Sequence, residues 1–339
     1  MCNRAAQCGK TFLADGKWGT VANTTAFAID TNKASPKFLH YMTNQKDFWE
    51  KGGSAQPYVK VSETLRKRFF IPDLATQRQV ADFLDRETET IDLLIEKKQR
   101  LVALLGEKSK SVNEHFFTNA EATATQPLHR LYRVVTGKTP SRSEEDNFSD
   151  EEGLPWATPV NLGSLAPIKI TKERLTEKGC SGQPVVESGT VLLNGIGSIG
   201  KVGIAGARLS FNQQIHALIG KTPLLSDRFL FFQLLALKEQ LVLLANSTTL
   251  PILNGERLGR LELRIYEADK QQRHCANMEA LLQHEEITTQ KINISIDRLM
   301  EYRSALITAA VTGQIDVATY TKSGTPDRRL DAIQEEMGA

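Results

Sequence analysis

The feature that most restricts this chain is an internal repeat. Ile71-Pro72-Asp73-Leu74-Ala75-Thr76-Gln77 opens one long helical pattern, and Ile265-Tyr266-Glu267-Ala268-Asp269-Lys270-Gln271 opens a second, 194 residues later. The register persists to the far end, where Thr118 precedes Thr312 by the same interval. A repeat of this length predicts a duplicated architecture. In the first copy Leu84, Ile91, Leu105 and Val112 share one heptad position, Val80, Leu94 and Leu101 share another, and Lys98 and Lys108 interrupt them. The second copy carries Met278, Glu285, Ile292, Leu299 and Leu306 in the first register, with Leu282 and Ile296 beside them. Proline-free patterns of this kind predict coiled-coil helices of roughly 60 Å. Such helices need partners, and antiparallel pairing of the two copies buries both stripes.

The repeat extends backward from each helix. Ser35-Pro36-Lys37-Phe38-Leu39 matches Ser226-Asp227-Arg228-Phe229-Leu230, and Gly9-Lys10 matches Gly200-Lys201, both at an offset of 191. The second module opens near Leu128, so its counterpart in the first would open 63 residues before Met1. The first module is therefore expected to lack about its first third.

Charge is uneven along the chain. The net +2 is too small to identify a nucleic-acid partner. Residues 1–74 nevertheless carry a net +5 and residues 119–264 a net +2, against −1 and −4 for 75–118 and 265–339. Positive charge thus lies outside the helices. No apolar run approaches the ~18 residues of a membrane span, and Met1 to Lys10 has no apolar secretory block. A cytoplasmic address is expected. Cys2, Cys8, Cys180 and Cys275 are scattered without a CxxC pair, which predicts free thiols and neither a disulfide frame nor a metal site.

Several strings bear on catalysis. Gly195, Gly197 and Gly200 spell GxGxxG, and Gly195 to Lys201 nearly spells a phosphate-binding loop. That loop needs Ser or Thr after its lysine, where Val202 stands, and both motifs must open a helix. The succeeding VGIAGARLSFN reads instead as strand and turn, so a β-hairpin is expected, with Lys201 and Arg208 placed to meet phosphate. Gln56-Pro57-Tyr58 lacks the second proline of a methyltransferase motif and reads as loop. His216 reads as a structural histidine as readily as a functional one. No catalytic or metal residue is assigned.

The string FFIPDLATQRQVADFLDRETETIDLLIEKKQRLVALLGEKS resembles the conserved region of type I restriction-modification specificity subunits, and YRSALITAAVTGQIDV resembles their terminal signature. Gly137-Lys138-Thr139-Pro140, Leu154-Pro155-Trp156, Gly189-Thr190-Val191-Leu192 and Ile199-Gly200-Lys201-Val202 fit the recognition domain between them. The resemblance implies an α+β fold in which two β-rich or α+β target-recognition domains are joined by two long antiparallel coiled-coil helices. The implied boundaries are a partial first recognition domain (1–74), a helix (75–118), a linker (119–127), the second recognition domain (128–264), a helix (265–316) and a flexible tail (317–339). It further implies double-stranded DNA, modification subunits and a restriction subunit as partners. S-adenosylmethionine, ATP and magnesium would sit on those subunits, and this chain would hold no cofactor and perform no catalysis.

Base reading needs paired donors or acceptors presented to a groove. Such residues cluster at Thr136 to Arg142, Trp156 to Asn161, Asn212 to Gln214 and Ser247 to Thr249. From these loops and the glycine hairpin we select Thr136, Lys138, Thr139, Ser141, Arg142, Trp156, Asn161, Lys201, Asn212 and Gln213. Lys10, Asn23 and Thr24 are their counterparts in the first domain. The acidic run Glu144 to Glu152 is expected to face away from DNA. Two other readings stay open on the sequence alone, a protein-interaction scaffold with a helical spacer and an inactive truncated remnant.

Overall fold

The computed structural model describes residues 8–45, 48–53, 57–245 and 250–320. The chain begins with helix α1 (Pro36–Thr43), strands β1 (Lys51–Gly52) and β2 (Tyr58–Val59), helix α2 (Val61–Arg66) and the long helix α3 (Leu74–Asn119). There follow β3 (Ala124–Pro127), α4 (Leu128–Leu131), β4 (Tyr132–Thr136), β5 (Phe148–Ser149), β6 (Leu154–Ala157), β7 (Arg174–Leu175) and β8 (Val185–Val186). Then come β9 (Val191–Asn194), β10 (Val202–Ile204), β11 (Leu209–Phe211), β12 (Ile215–Gly220), α5 (Asp227–Ala236), α6 (Lys238–Leu244) and α7 (Gly255–Leu258). The strand β13 (Glu262–Ile265), the long helix α8 (Ala268–Val311) and α9 (Val317–Tyr320) complete the order. Two compact units result, residues 1–102 with 290–339, and residues 103–289.

The long helices start 194 residues apart, at the spacing of the sequence repeat. Asp73 starts α3 by accepting the amide protons of Ala75 and Thr76 at 2.9 and 3.0 Å, the usual solution for unpaired donors at a helix start. Within each unit the segments of the two helices run antiparallel. In the first unit Arg303 of α8 grips Asp92 of α3 through two bonds of 2.9 and 3.1 Å. In the second unit the Ser109 hydroxyl of α3 donates to Glu285 of α8.

The buried stripe of α8 follows the expected heptads: Met278, Ile292, Ile296, Leu299 and Leu306 are buried and Leu282 is half-buried. In α3 the match is partial, and of the second expected rail only Val80 is buried. Leu84 and Ile91 are buried and Leu105 is half-buried, but Leu101 is 46% exposed, Val112 is 44% exposed, and Leu94 is only half-buried. The second rail runs through Ala81, Thr88, Ile95 and Ser109, on the other flank of Leu84 and Ile91. Past Lys98 the buried positions are Ser109, Asn113 and Phe117, spaced four residues apart, which leaves Val112 outside the stripe.

The repeat is most legible where each short helix docks on its long one. Ser35 caps α1 and Ser226 caps α5, each accepting from the amide of a buried phenylalanine, Phe38 or Phe229. Gln77 of α3 is fully buried; its Oε1 accepts from Ser35 N (2.8 Å) and its Nε2 donates to the Pro72 carbonyl (2.8 Å). Gln271 of α8 repeats this with Ser226 N (3.1 Å) and the carbonyls of Tyr266 and Leu224 (both 2.8 Å). Beside each clamp an ion pair recurs, Lys37 with Asp85 and Arg228 with Glu279. Every member of the first set maps onto the second at 191 or 194 residues.

In the second unit β10-β9-β12-β4 form an antiparallel sheet, and β5-β7-β6-β11-β8 form a second sheet in which β11 and β6 are parallel. Period-two alternation sorts the side chains of β9 and β12 into two cores. Val191, Leu193 and Leu218 face α5, whose Phe229, Leu230, Phe231, Phe232 and Leu234 are all buried. Leu192, Ile215 and Ala217 instead pack with Ala157, Leu209 and Phe211 of the other sheet. The expected linker 119–127 contains β3, which pairs with β13.

The first unit is sparser. Its residues 8–35 form no helix, and β1 with β2 makes a short hairpin packed around Trp49 and Val59. The segment read as a tail starts with the helical turn α9, where the Tyr320 hydroxyl meets that of Tyr302 (2.8 Å) and its ring abuts Phe83; residues 321–339 lie outside the described residues. Cys180 and Cys275 are free thiols, and Cys2 lies outside the described residues. No described helix is long and apolar enough to cross a membrane.

Leaving a buried amide partner unsatisfied costs about 1–3 kcal/mol. Gln77→Leu and Gln271→Leu are each expected to lose that much stability in urea unfolding, whereas Gln272→Leu, on an exposed position, stays within about 0.5 kcal/mol. Equal behaviour of all three variants would show that the clamps do not bear on stability.

A second expectation concerns His274, buried on α8 against the stacked ring of Phe116. Asn113 Nδ2 donates to the Phe232 carbonyl (2.8 Å), so its Oδ1 accepts from His274 Nε2 (2.9 Å). Burial pushes the imidazole down to about 4. The unfolded chain therefore binds the proton more readily, and the stability contributed by neutral His274 is present above about pH 6.5 and lost as pH falls towards 4. Over that window the thermal midpoint should fall more steeply for the wild type than for His274→Gln; identical slopes would contradict this role.

Candidate nucleic-acid interface

Three turns of the second unit meet at one end of the β4–β12–β9 sheet. Beyond β4, Gly137 N donates to the Ile215 carbonyl (3.0 Å) and Lys138 N to that of Phe211 (3.1 Å), which lays the 137–142 loop against the β11–β12 turn. A β-carbon on Gly137 would lie 2.1 Å from the Asn212 carbonyl oxygen, so the approach requires glycine. In that second turn Asn212 Oδ1 accepts from Gln214 N (3.1 Å), a side chain mimicking a backbone turn. The third turn joins β9 to β10 through the glycine string. Asn194 Nδ2 fastens it to the carbonyls of Ile196 (2.9 Å) and Ser198 (2.8 Å), while Gly197 and Gly200 take positive φ.

The glycine string is thus a hairpin, as its residues imply, with Val202 paired to Leu193. Gly195 is there for space, since a β-carbon would lie 2.5 Å from His216 Nε2. His216 is bonded at both nitrogens. Its Nε2 donates to the Leu253 carbonyl (2.7 Å), leaving Nδ1 to accept from the Thr136 hydroxyl (3.0 Å), and burial lowers its pKa.

The turns enclose an open cleft of about 570 Å³. Of the residues selected from sequence, Thr139, Arg142, Trp156, Asn212 and Gln213 line it, joined by Thr158, Asn194, Ser198 and Gln214. Their states differ. Trp156 is 2% exposed, so it supports the wall and presents no edge for hydrogen bonding; its Nε1 donates to the Lys138 carbonyl (3.4 Å). Arg142 lies over the Phe148 ring (4.2 Å) and the Trp156 ring (5.1 Å) and makes two bonds to Glu173, at 2.6 and 2.9 Å. These bonds hold the Glu173 carboxyl below its usual range. The Thr139 hydroxyl donates to Gln213 Oε1.

The remaining selected residues sit elsewhere. Thr136 is engaged by His216, and Ser141 shares a hydroxyl bond with Ser143 (2.7 Å). Asn161 closes the 159–161 turn by accepting from Thr158 N (2.9 Å). Exposed Lys138 reaches the Gly182 carbonyl (3.2 Å), and Lys201 is exposed at the end of the hairpin loop. Lys10 and Asn23 are exposed and Thr24 half-exposed in the first unit. Ser247 to Thr249 lie outside the described residues, as does Gln56 of the Gln56-Pro57-Tyr58 string. In the acidic run Glu144 pairs with Lys178 (2.8 Å), and Phe148–Ser149 forms β5. Sequence reasoning passed over Asn194 and Ser198, although their position around the glycines could have marked them as turn-holding residues. Among the described residues no group of His, Cys, Asp and Glu could hold a metal ion.

The sequence profile of the type I restriction modification DNA specificity domain matches residues 1–103 and 128–298. The chain belongs to this family. It is 30% identical over 146 residues to the type I restriction enzyme MjaIX specificity subunit of Methanocaldococcus jannaschii, a match spanning 41% of this chain and 33%, about a third, of that subunit. Among solved structures, a chain from work on complex assembly and conformational transition of the type I R-M system superposes with a TM-score of 0.62 at 17% identity, covering 83% of this chain and 72% of the other. The HsdS subunit from Thermoanaerobacter tengcongensis gives 0.50 at 16%, covering 84% and 71%. Both show the same fold, mixed sheet domains with two long helices.

If Gly137 sets the cleft wall, Gly137→Ala should separate the 137–142 loop from Asn212 and cost about 1–3 kcal/mol. Hydrogen exchange should accelerate at the Gly137 and Lys138 amides; unchanged protection there would show that the loop does not depend on this close approach.

Proposed function

We propose that the chain is the DNA-reading subunit of a type I restriction-modification complex. It recognises double-stranded DNA in sequence, directs modification subunits and, where one is present, a restriction subunit to a bipartite site, and performs no catalysis itself. S-adenosylmethionine, ATP and magnesium belong to those partners, and the assembly works in the cytoplasm. The observation that carries this reading is the duplicated joint, in which Ser35, Gln77, Lys37 and Asp85 recur as Ser226, Gln271, Arg228 and Glu279. Two modules seated alike on antiparallel helices are what two half-sites at a fixed spacing require. In the second module the cleft supplies the reading groups, and Lys138, Lys201 and Arg208 supply positive charge for phosphate. Lys10, Asn23 and Thr24 take the corresponding part in the first module.

The test is selection from a random duplex library by the full chain with its modification subunits, followed by binding at several salt concentrations. A bipartite motif should be enriched. Lys138→Ala with Lys201→Ala should weaken binding to all sequences alike and lower the slope of log affinity against log salt by about 0.9 for each phosphate no longer neutralised. A chain that enriches no sequence yet still binds partner proteins would instead be a scaffold, and one that does neither would be a remnant.

A further inference from the structure

The amides around the cleft are already oriented by bonds inside the protein, and their orientation limits what they can read. Asn212 Oδ1 accepts the backbone N–H of Gln214, so Asn212 Nδ2 must be the end that donates to Gln214 Oε1, at 3.1 Å. Gln214 therefore holds its carbonyl inward and keeps its NH2 for a ligand. Gln213 is arranged alike, with Oε1 taking the Thr139 hydroxyl proton on an exposed position. Behind them Asn194 gives its amide hydrogens to the Ile196 and Ser198 carbonyls, and its Oδ1 is sealed from solvent without a partner. Asn194 and Asn212 thus spend amide hydrogens inside the protein, whereas at Gln213 and Gln214 the carbonyl is the bonded end and the NH2 is left over.

Resting on the DNA-reading assignment above, we infer that Gln213 and Gln214 read an edge made only of acceptors, and that the half-site of the second domain contains a guanine beneath them. The usual amide contact to adenine pairs an NH2 with N7 and a free carbonyl with the N6 amino group. Here Thr139 and Asn212 each bond one lone pair of a carbonyl and so turn that oxygen towards the protein, leaving the NH2 as the group on the other side. Cytosine offers an N4 donor, which two outward NH2 groups repel, and thymine offers one acceptor, O4. Guanine alone presents two neighbouring major-groove acceptors, O6 and N7, for two donors. Arg142, the more usual reader of guanine, is tied to Glu173 and acts as a positioning residue under the 137–142 loop.

The same library selection decides the matter when run on the full chain with its modification subunits. The wild type should enrich a motif with an invariant G·C pair in one half. Gln213→Glu and Gln214→Glu turn a donor into an acceptor, so each should weaken the selected duplex at least about tenfold and move the preference at one position from guanine to cytosine. Thr139→Val releases the Gln213 carbonyl and should admit A·T at that position alongside G·C. Urea midpoints matching the wild type separate impaired reading from impaired folding, and Thr139→Val reports on the same position without placing a charge in the cleft. A motif whose base preferences survive all three substitutions, or a uniform loss across sequences, overturns the inference while leaving the DNA-reading role intact. A wild type that selects nothing overturns both.

Discussion

Everything in this structure hangs on a buried glutamine near the start of each long helix. A free amide in a core is costly, and Gln77 and Gln271 avoid that cost by binding the capped end of a short helix on one side and the entering backbone on the other. One side chain thereby fixes the short helix, the long helix and the strand-to-helix turn together. The neighbouring ion pairs are partly exposed and contribute little energy. Their effect is on alignment, because each ties the first turn of a short helix to a position two turns farther along the long one.

The two copies of this joint also serve as an internal comparison. Lys37 with Asp85 becomes Arg228 with Glu279, so the cation and the carboxylate change type together. Phe38 and Phe229 keep one ring in the same socket. Outside the joint the copies diverge: α5 buries phenylalanine and leucine on all sides between a sheet and α8, whereas α1 buries only Phe38 and Met42. The shared residues fix how a domain is seated, and the divergent ones surround the surfaces that face outward.

How much was legible in the sequence depends on the same physics. The repeat, the helix starts and the α8 stripe could be read because buried apolar residues there keep a heptad interrupted only at Glu285. In α3 the rail of Ala81, Thr88, Ile95 and Ser109 alternates apolar and polar residues, so the leucines point instead to Leu94 and Leu101, on the other flank. Thr88 is acceptable inside because its hydroxyl donates to the Leu84 carbonyl (2.6 Å), a solution that no hydropathy pattern records. At the cleft the loops were legible from composition, and the roles were not. Trp156 is buried, and Arg142 stacks on Phe148 and binds a carboxylate 31 residues away, contacts that loop composition does not reveal.

The glycine string shows how one pattern can belong to two chemistries. A phosphate loop and this hairpin both need a backbone that turns through positive φ, and Gly197 and Gly200 supply it here. The two diverge immediately after the turn. A phosphate loop continues into a helix whose unpaired amides face the ligand, whereas this one continues into β10, whose amides are taken up by β9. The hairpin instead delivers side chains, Asn194 and Ser198, to a cleft whose other walls come from two separate turns. The amides of that cleft are oriented by bonds such as Gln214 N to Asn212 Oδ1, which join neighbours within a single loop. A substitution at the cleft can accordingly reorient these amides without touching the joints that seat the domain on its helix.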